Sequence, residues 1–223
     1  MSARAAINPI LSASAALRLQ PHLDRFAAQA PYQSRIAFDP VEFPRRYQDP
    51  RDIETAALLS ACLAYGRADL FKPKLEQLFS SIGSSPARFV GALDVAGAKR
   101  LLRDFVYRFN VGTDLAVLLL GIGKALRIQG SLELLFLQQM EEHRSLHAAL
   151  GGFTAALRDV PIAALRRALG PERGLDHLLP SPLGLGAAKR LNLFLRWMVR
   201  GPDEVDLGIW RSVSPALLLI PLD

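Results

Sequence analysis

The chain has 223 residues, half of them hydrophobic, with 27 Lys and Arg against 21 Asp and Glu for a net charge of +6. That apolar content suits a packed core rather than a disordered chain, and the single cysteine, Cys62, excludes an internal disulfide framework. The basic excess is compatible with nucleic acid, because Lys and Arg neutralise phosphates.

The first segment, residues 1–19, is rich in Ala, Ser and Arg, and Asn8-Pro9 interrupts any apolar core of signal type. A weak helical pattern follows over 17–30. Pro31, Pro40, Pro44 and Pro50 then forbid a long helix, so 31–50 reads as a loop packed down by Tyr32, Phe38, Phe43 and Tyr47. Residues 1–48 are taken as an arm and linker, 49–204 as a helical core and 205–223 as a C-terminal segment.

The core opens on a strong helix start. Asp49 is a good N-cap, Pro50 suits the first helical position, and Asp52 adds an acid to the first turn. Ile53, Ala56, Ala57, Ser60, Ala61 and Ala64 then recur at three-four spacing, and the helix should stop near Gly66. Further helices are predicted over 72–80, 86–91, 96–105, 113–129, 132–142, 146–158 and 161–169, punctuated by Gly and Pro. No stretch alternates with period two for long enough to predict a strand, so the fold class is all-α. The apolar run at 115–122 is too short to span a bilayer. These features suit a soluble, cytoplasmic protein with no membrane partner. His143 and His147 lie four apart but lack a third ligand, so no metal and no cofactor is expected. Cys62 reads as a small core residue.

The informative stretch comes late. Leu179-Pro180-Ser181-Pro182-Leu183-Gly184-Leu185-Gly186 leads into a helix predicted over 187–200. A Gly-containing turn that opens a helix exposes unpaired N–H groups, and with the helix dipole these attract an anion. Gly184 and Gly186 leave the backbone open to a phosphate, and Lys189 stands one turn in. Leu191, Phe194, Leu195 and Met198 form the apolar face, directed at the 53–64 helix. Lys189, Arg196 and Arg200 form a basic stripe on the other side, and Asp223 reads as a helix N-cap. The apolar run 217–220 has to bury itself against the core, and ending at Pro221-Leu222-Asp223 suggests a version cut short of something longer.

Several strings are similar to an uncharacterised bacterial family, the domain of unknown function 2400. They include Tyr47-Gln48-Asp49-Pro50-Arg51-Asp52-Ile53-Glu54, Ala64-Tyr65-Gly66-Arg67, Tyr107-Arg108-Phe109-Asn110, residues 189–200, and Ile220-Pro221-Leu222-Asp223. That family in turn resembles, more remotely, the helix-hairpin-helix DNA glycosylases, whose bifunctional members carry a catalytic Lys near a Pro-Gly turn and a downstream Asp. Lys189 and Asp223 match those two, at a separation closest to the archaeal 8-oxoguanine glycosylase pattern. Leu179-Pro180-Ser181-Pro182 replaces the standard Leu-Pro-Gly. The resemblance implies a helix-hairpin-helix fold and a partner that is nucleic acid, with DNA favoured. It also implies base excision through Lys189 as Schiff-base nucleophile and Asp223 as proton acceptor. Arg190 joins Gly184, Gly186, Arg196 and Arg200 as a DNA contact, with Tyr65, Arg67, the group Tyr107, Arg108, Phe109 and Asn110, and Trp197 as pocket residues. A non-catalytic nucleic-acid-binding module and a helical scaffold for a protein partner are the alternatives.

Overall fold

The computed structural model describes residues 12–29, 36–184 and 187–219. Among them the chain is built of helices and one minimal hairpin. The helices are α1 (Ala13–Gln29), α2 (Pro50–Leu63), α3 (Ala68–Ile82), α4 (Pro86–Ala92), α5 (Val95–Leu102), α6 (Gly112–Gln129), α7 (Leu132–His143), α8 (Leu146–Arg158), α9 (Ile162–Leu169), α10 (Leu175–Leu178) and α11 (Lys189–Val199). Single 3-10 turns lie at Pro40–Glu42, Pro44–Arg46 and Pro215–Leu217. Strands β1 (Val106–Tyr107) and β2 (Asn110–Val111) pair antiparallel between α5 and α6, with Tyr107 opposite Asn110.

Local chemistry sets most of these boundaries. The Asp49 carboxylate accepts from the Arg51 N–H at 2.8 Å and Pro50 occupies the first turn of α2. Ser131 and Ser145 cap α7 and α8 in the same way, accepting from Leu134 and Ala148. The helix predicted over 96–105 stops at Leu102, because the chain turns into the hairpin. His143 and His147, four apart in sequence, fall on two helices, since Arg144 closes α7 in the left-handed region at φ 54°.

Helix α6 is the hub. It is buried from Gly112 through Gly123 and packs against α4, α5, α7, α8 and α9. A helix enclosed on every side must be apolar all round, which is why 115–122 reads as a continuous apolar run. Two glycines bring neighbours close. A Cβ on Gly121 would stand 2.0 Å from the Leu157 carbonyl of α8, and one on Gly123 would stand 2.1 Å from the Val90 carbonyl of α4. Both obstacles are backbone, so relief requires moving a whole helix. Gly121→Ala is therefore expected to destabilise by about 3 kcal/mol, at the upper end of ordinary overpacking costs. Urea unfolding checks this, and an unchanged midpoint would mean that α8 is free to shift.

The other layer is α11 on α2. Leu191, Phe194, Leu195 and Met198 are fully buried, as their spacing predicts. Phe194 packs edge-on against Trp210 at 5.2 Å, and Trp210 stacks on Phe136 at 5.6 Å. The segment after α11 is held by Leu207 and Trp210 N–H groups donating to the Trp197 and Met198 carbonyls, each at 2.8 Å. The apolar run does not bury itself whole. Leu218 packs on the core, but Leu217 and Leu219 expose 43% and 55% of their surface. Leu217 ends a 3-10 turn started by Pro215 and Leu219 lies beyond it, so side chains diverge there. Among the described residues no single helix is long and apolar enough to cross a membrane.

Candidate functional site

Four aromatic rings gather where the ends of α2 and the hairpin meet α10. Tyr65 follows the end of α2, Tyr107 and Phe109 belong to the hairpin, and His177 lies on α10. Tyr65 and Phe109 are nearly parallel, with centroids 5.6 Å apart and planes at 22°. His177 stands edge-on to both, at 4.5 Å from Tyr65 and 4.4 Å from Phe109. Tyr107 is the buried floor at 4.7 Å from Tyr65. Phe109 and His177 remain exposed, Phe109 with 42% of its surface in solvent. A large apolar ring held open at a hairpin tip is not required by the core.

A buried polar network fixes this arrangement. Asp114, in the first turn of α6, is fully buried. Its carboxylate accepts from the Val111 N–H at 2.8 Å, the Gly174 N–H at 3.0 Å and the Arg173 N–H at 3.1 Å. Asn110 donates to the Gly174 carbonyl at 2.8 Å and more distantly to Asp114, and accepts from the Tyr65 hydroxyl. The Tyr107 hydroxyl donates to the Tyr65 carbonyl. Hairpin, α2 terminus and the loop before α10 are thus tied to one carboxylate. Burial holds the Tyr65 and Tyr107 phenols above the ordinary range, so both stay protonated donors.

Two guanidinium groups frame the rings. Arg190 lies 5.0 Å and Arg108 6.0 Å from the Tyr65 centroid, within reach of cation–π attraction. Arg108 sits at the hairpin tip with φ 53°. It also crowds Gly66, where a Cβ would come within 2.7 Å of the guanidinium. Burial first, and these two cations next, push the His177 pKa down, so its imidazole is neutral at physiological pH with one donor and one acceptor nitrogen.

The other expected residues distribute unevenly. Lys189 is the first residue of α11 and is exposed. The helix starts there rather than at 187, behind Ala188 in the left-handed region at φ 46°. Asn192 Nδ2 braces that start by donating to the Ala187 carbonyl at 3.1 Å. Gly184 is exposed in the preceding turn, and a Cβ there would meet nothing closer than the Ser181 carbonyl at 3.6 Å, so no close approach demands glycine. Gly186 and Asp223 lie outside the described residues.

Arg190 is not a solvent-facing phosphate ligand. Its guanidinium donates to the Cys62 carbonyl at the end of α2 and to the His177 carbonyl, so it clamps the cluster from behind. Cys62 itself is buried, and burial pushes its thiol up to about 12, which removes it as a nucleophile. The basic stripe is locally neutralised. Arg196 pairs with Asp206 at 3.2 Å, and Arg200 with Asp203 at 3.6 Å and Asp206 at 3.5 Å, the Asp206 side chain being wholly buried. A Glu at position 196 or 200 would face Asp206, so charge reversal there tests folding rather than binding. Arg67 is exposed and paired bidentately with Asp69. Trp197 belongs to the core, with 1% of its surface exposed, and is closed to a stacking ligand. Among the described residues no group of three or more His, Cys, Asp or Glu is arranged to hold a metal ion.

Residues 39–223 match the family described as Protein of unknown function (DUF2400). The chain belongs to that family. The DUF2400 match takes in all four rings, both framing arginines and Lys189. Searches of curated proteins and of solved structures returned no match. Within this DUF2400 chain, sequence reasoning named Tyr65 and the Tyr107-Arg108-Phe109-Asn110 group as pocket residues but missed His177. The available signal was the place of His177 just ahead of the Gly- and Pro-rich turn.

Proposed function

We propose that this protein acts on or binds damaged DNA in the manner of a helix-hairpin-helix DNA glycosylase/lyase, receiving an extruded nucleobase at the Tyr65–Phe109–His177 cluster. The observation that carries this reading is the open aromatic cluster bracketed by Arg108 and Arg190. Every base has a π-face, and stacking on an aromatic ring contributes about 1–3 kcal/mol. That offsets the few kcal/mol spent in unstacking a damaged base. The neutral His177 edge supplies one donor and one acceptor for a base edge. The net charge of +6 favours approach to the duplex.

Lys189 is adjacent in sequence to Arg190, whose guanidinium lies over Tyr65. In the proposed reaction its deprotonated amine attacks the sugar C1′. The glycosidic bond breaks and its electron pair leaves on the base, and the Asp223 carboxylate takes the proton from the new ammonium. The nitrogen lone pair so freed expels the ring oxygen O4′, which takes the proton back from Asp223, and the C1′=N iminium left behind is the reducible Schiff base.

Borohydride trapping on a duplex with an abasic site tests the chemistry. A covalent adduct is expected with the native chain and none with Lys189→Ala. Phe109→Ala is expected to weaken binding of that duplex about 10-fold, the equivalent of one stacked base. Binding that persists without any adduct leaves a non-catalytic nucleic-acid-binding module. Binding unchanged by Phe109→Ala removes the cluster from the interface.

A further inference from the structure

A second concave site lies away from the aromatic cluster, where the end of α3 turns through α4 into α5. It is a cavity of about 740 Å³, within the size range of small-molecule sites. Ile82, Phe89, Leu93 and Leu101 give it an apolar floor. Arg88 from α4 and Arg100 from α5 line it from two different helices.

The electrostatics of this cavity are unbalanced in a specific way. Both arginines are exposed, and neither forms an ion pair or hydrogen bond among the described residues. The nearby carboxylates are committed elsewhere. Asp94 accepts from the Gly97 N–H at 2.7 Å and so caps α5. Asp52 accepts from the Ala87 N–H at 2.8 Å and the Ser85 hydroxyl at 3.2 Å, and so caps α4. A carboxylate holding a helix N-terminus gains from the dipole and the N–H bond together, and does not swing out to meet an arginine. Elsewhere on this surface arginines do find acids, as Arg46 does with Glu76 at 2.8 Å and Arg166 with Glu172. The Ser84 hydroxyl on the rim adds a further donor without a partner among the described residues.

We infer that this cavity binds a small organic phosphomonoester, its phosphate between Arg88 and Arg100 and its apolar or aromatic part on the Phe89–Leu93–Leu101 floor. Guanidinium forks suit phosphate because each can donate two parallel bonds to its oxygens. Two such cations outweigh the Asp94 carboxylate on the same lining and leave a net positive charge for the phosphate. The apolar floor is of no use to bare phosphate, so the organic portion adds to the affinity that the two guanidinium groups supply.

The test uses phenyl phosphate, inorganic phosphate and phenol as probes against the full chain, followed by calorimetry or NMR titration. Phenyl phosphate is expected to bind at least 5-fold tighter than inorganic phosphate, and phenol to bind hardly at all. Arg88→Ala with Arg100→Ala is expected to weaken phenyl phosphate at least 10-fold at an unchanged Tm, since both side chains are exposed. Arg88→Lys with Arg100→Lys is expected to recover part of that loss. Equal affinity for phenyl phosphate and inorganic phosphate would overturn the role of the floor. Equal affinity in the native chain and the Ala pair would overturn the site. Adenosine monophosphate is expected to displace phenyl phosphate, whereas displacement by a short DNA duplex but not by the mononucleotide would replace the small ligand with nucleic-acid backbone. None of these outcomes depends on Lys189 or Phe109.

Discussion

Asp114→Ala is expected to cost about 3–5 kcal/mol, the range for removing one partner from a buried charged network. Three backbone N–H groups, those of Val111, Arg173 and Gly174, lose their acceptor at once. Asn110 loses one of its two acceptors. The damage should be directional. Asp114 joins the hairpin that carries Phe109 to the loop that precedes His177, so the edge-on contact of those two rings should loosen even where the core survives. Asp114→Asn keeps one acceptor oxygen and should fall between. Urea unfolding gives the stability, and amide exchange at Val111 and Gly174 gives the locality. A variant with Asp114→Ala that unfolds at the native midpoint would show that water replaces the carboxylate and that the network does not hold the cluster.

The contrast between that network and the helices explains what could be read in advance. Helix α8 could be placed from sequence because its apolar period and the Pro161 that follows it are both local. The buried face of α11 could be read for the same reason, since Leu191, Phe194, Leu195 and Met198 repeat at helical spacing. The hairpin was not legible. Tyr107-Arg108-Phe109-Asn110 contains no Gly or Pro, and Arg108 is held in the left-handed region by contacts remote in sequence. The aromatic cluster was half legible. Tyr65 and His177 touch across more than a hundred residues, and nothing local to either announces the other. Reading Arg196 and Arg200 as part of a basic stripe, and Arg190 as a DNA contact, left these side chains' partners unseen for a related reason. Helical spacing says which side chains share a stripe, but not that Asp206 returns beneath two of them or that two carbonyls await the third.

A pH-dependent stability is expected from Glu54. This residue is on α2 and is 2% exposed. Its carboxyl accepts from the Leu132 N–H at 2.7 Å, the Glu133 N–H at 3.2 Å and the Trp210 indole N–H at 3.1 Å. It thereby ties the first turn of α7 and the segment after α11 to α2. Burial outweighs the three donors and pushes its pKa up from 4.5 to about 7. A raised acid pKa means that the folded chain holds a proton that the unfolded chain has released, between those two values. Stability therefore falls as pH rises through that window, and is level above it. Converted at 1.36 kcal/mol per pKa unit, the loss is about 3 kcal/mol. Glu54→Gln removes the titration but leaves an amide N–H₂ facing backbone donors, a fixed cost at every pH. Subtracting its unfolding free energy from that of the native chain cancels the other titrating groups. The difference should shrink between pH 4 and pH 8 by about 3 kcal/mol, the value set by linkage. A difference that stays constant across that range would mean that the three N–H donors and the α7 dipole keep Glu54 ionised in the fold, and that it is a permanent anionic tie rather than a titrating one.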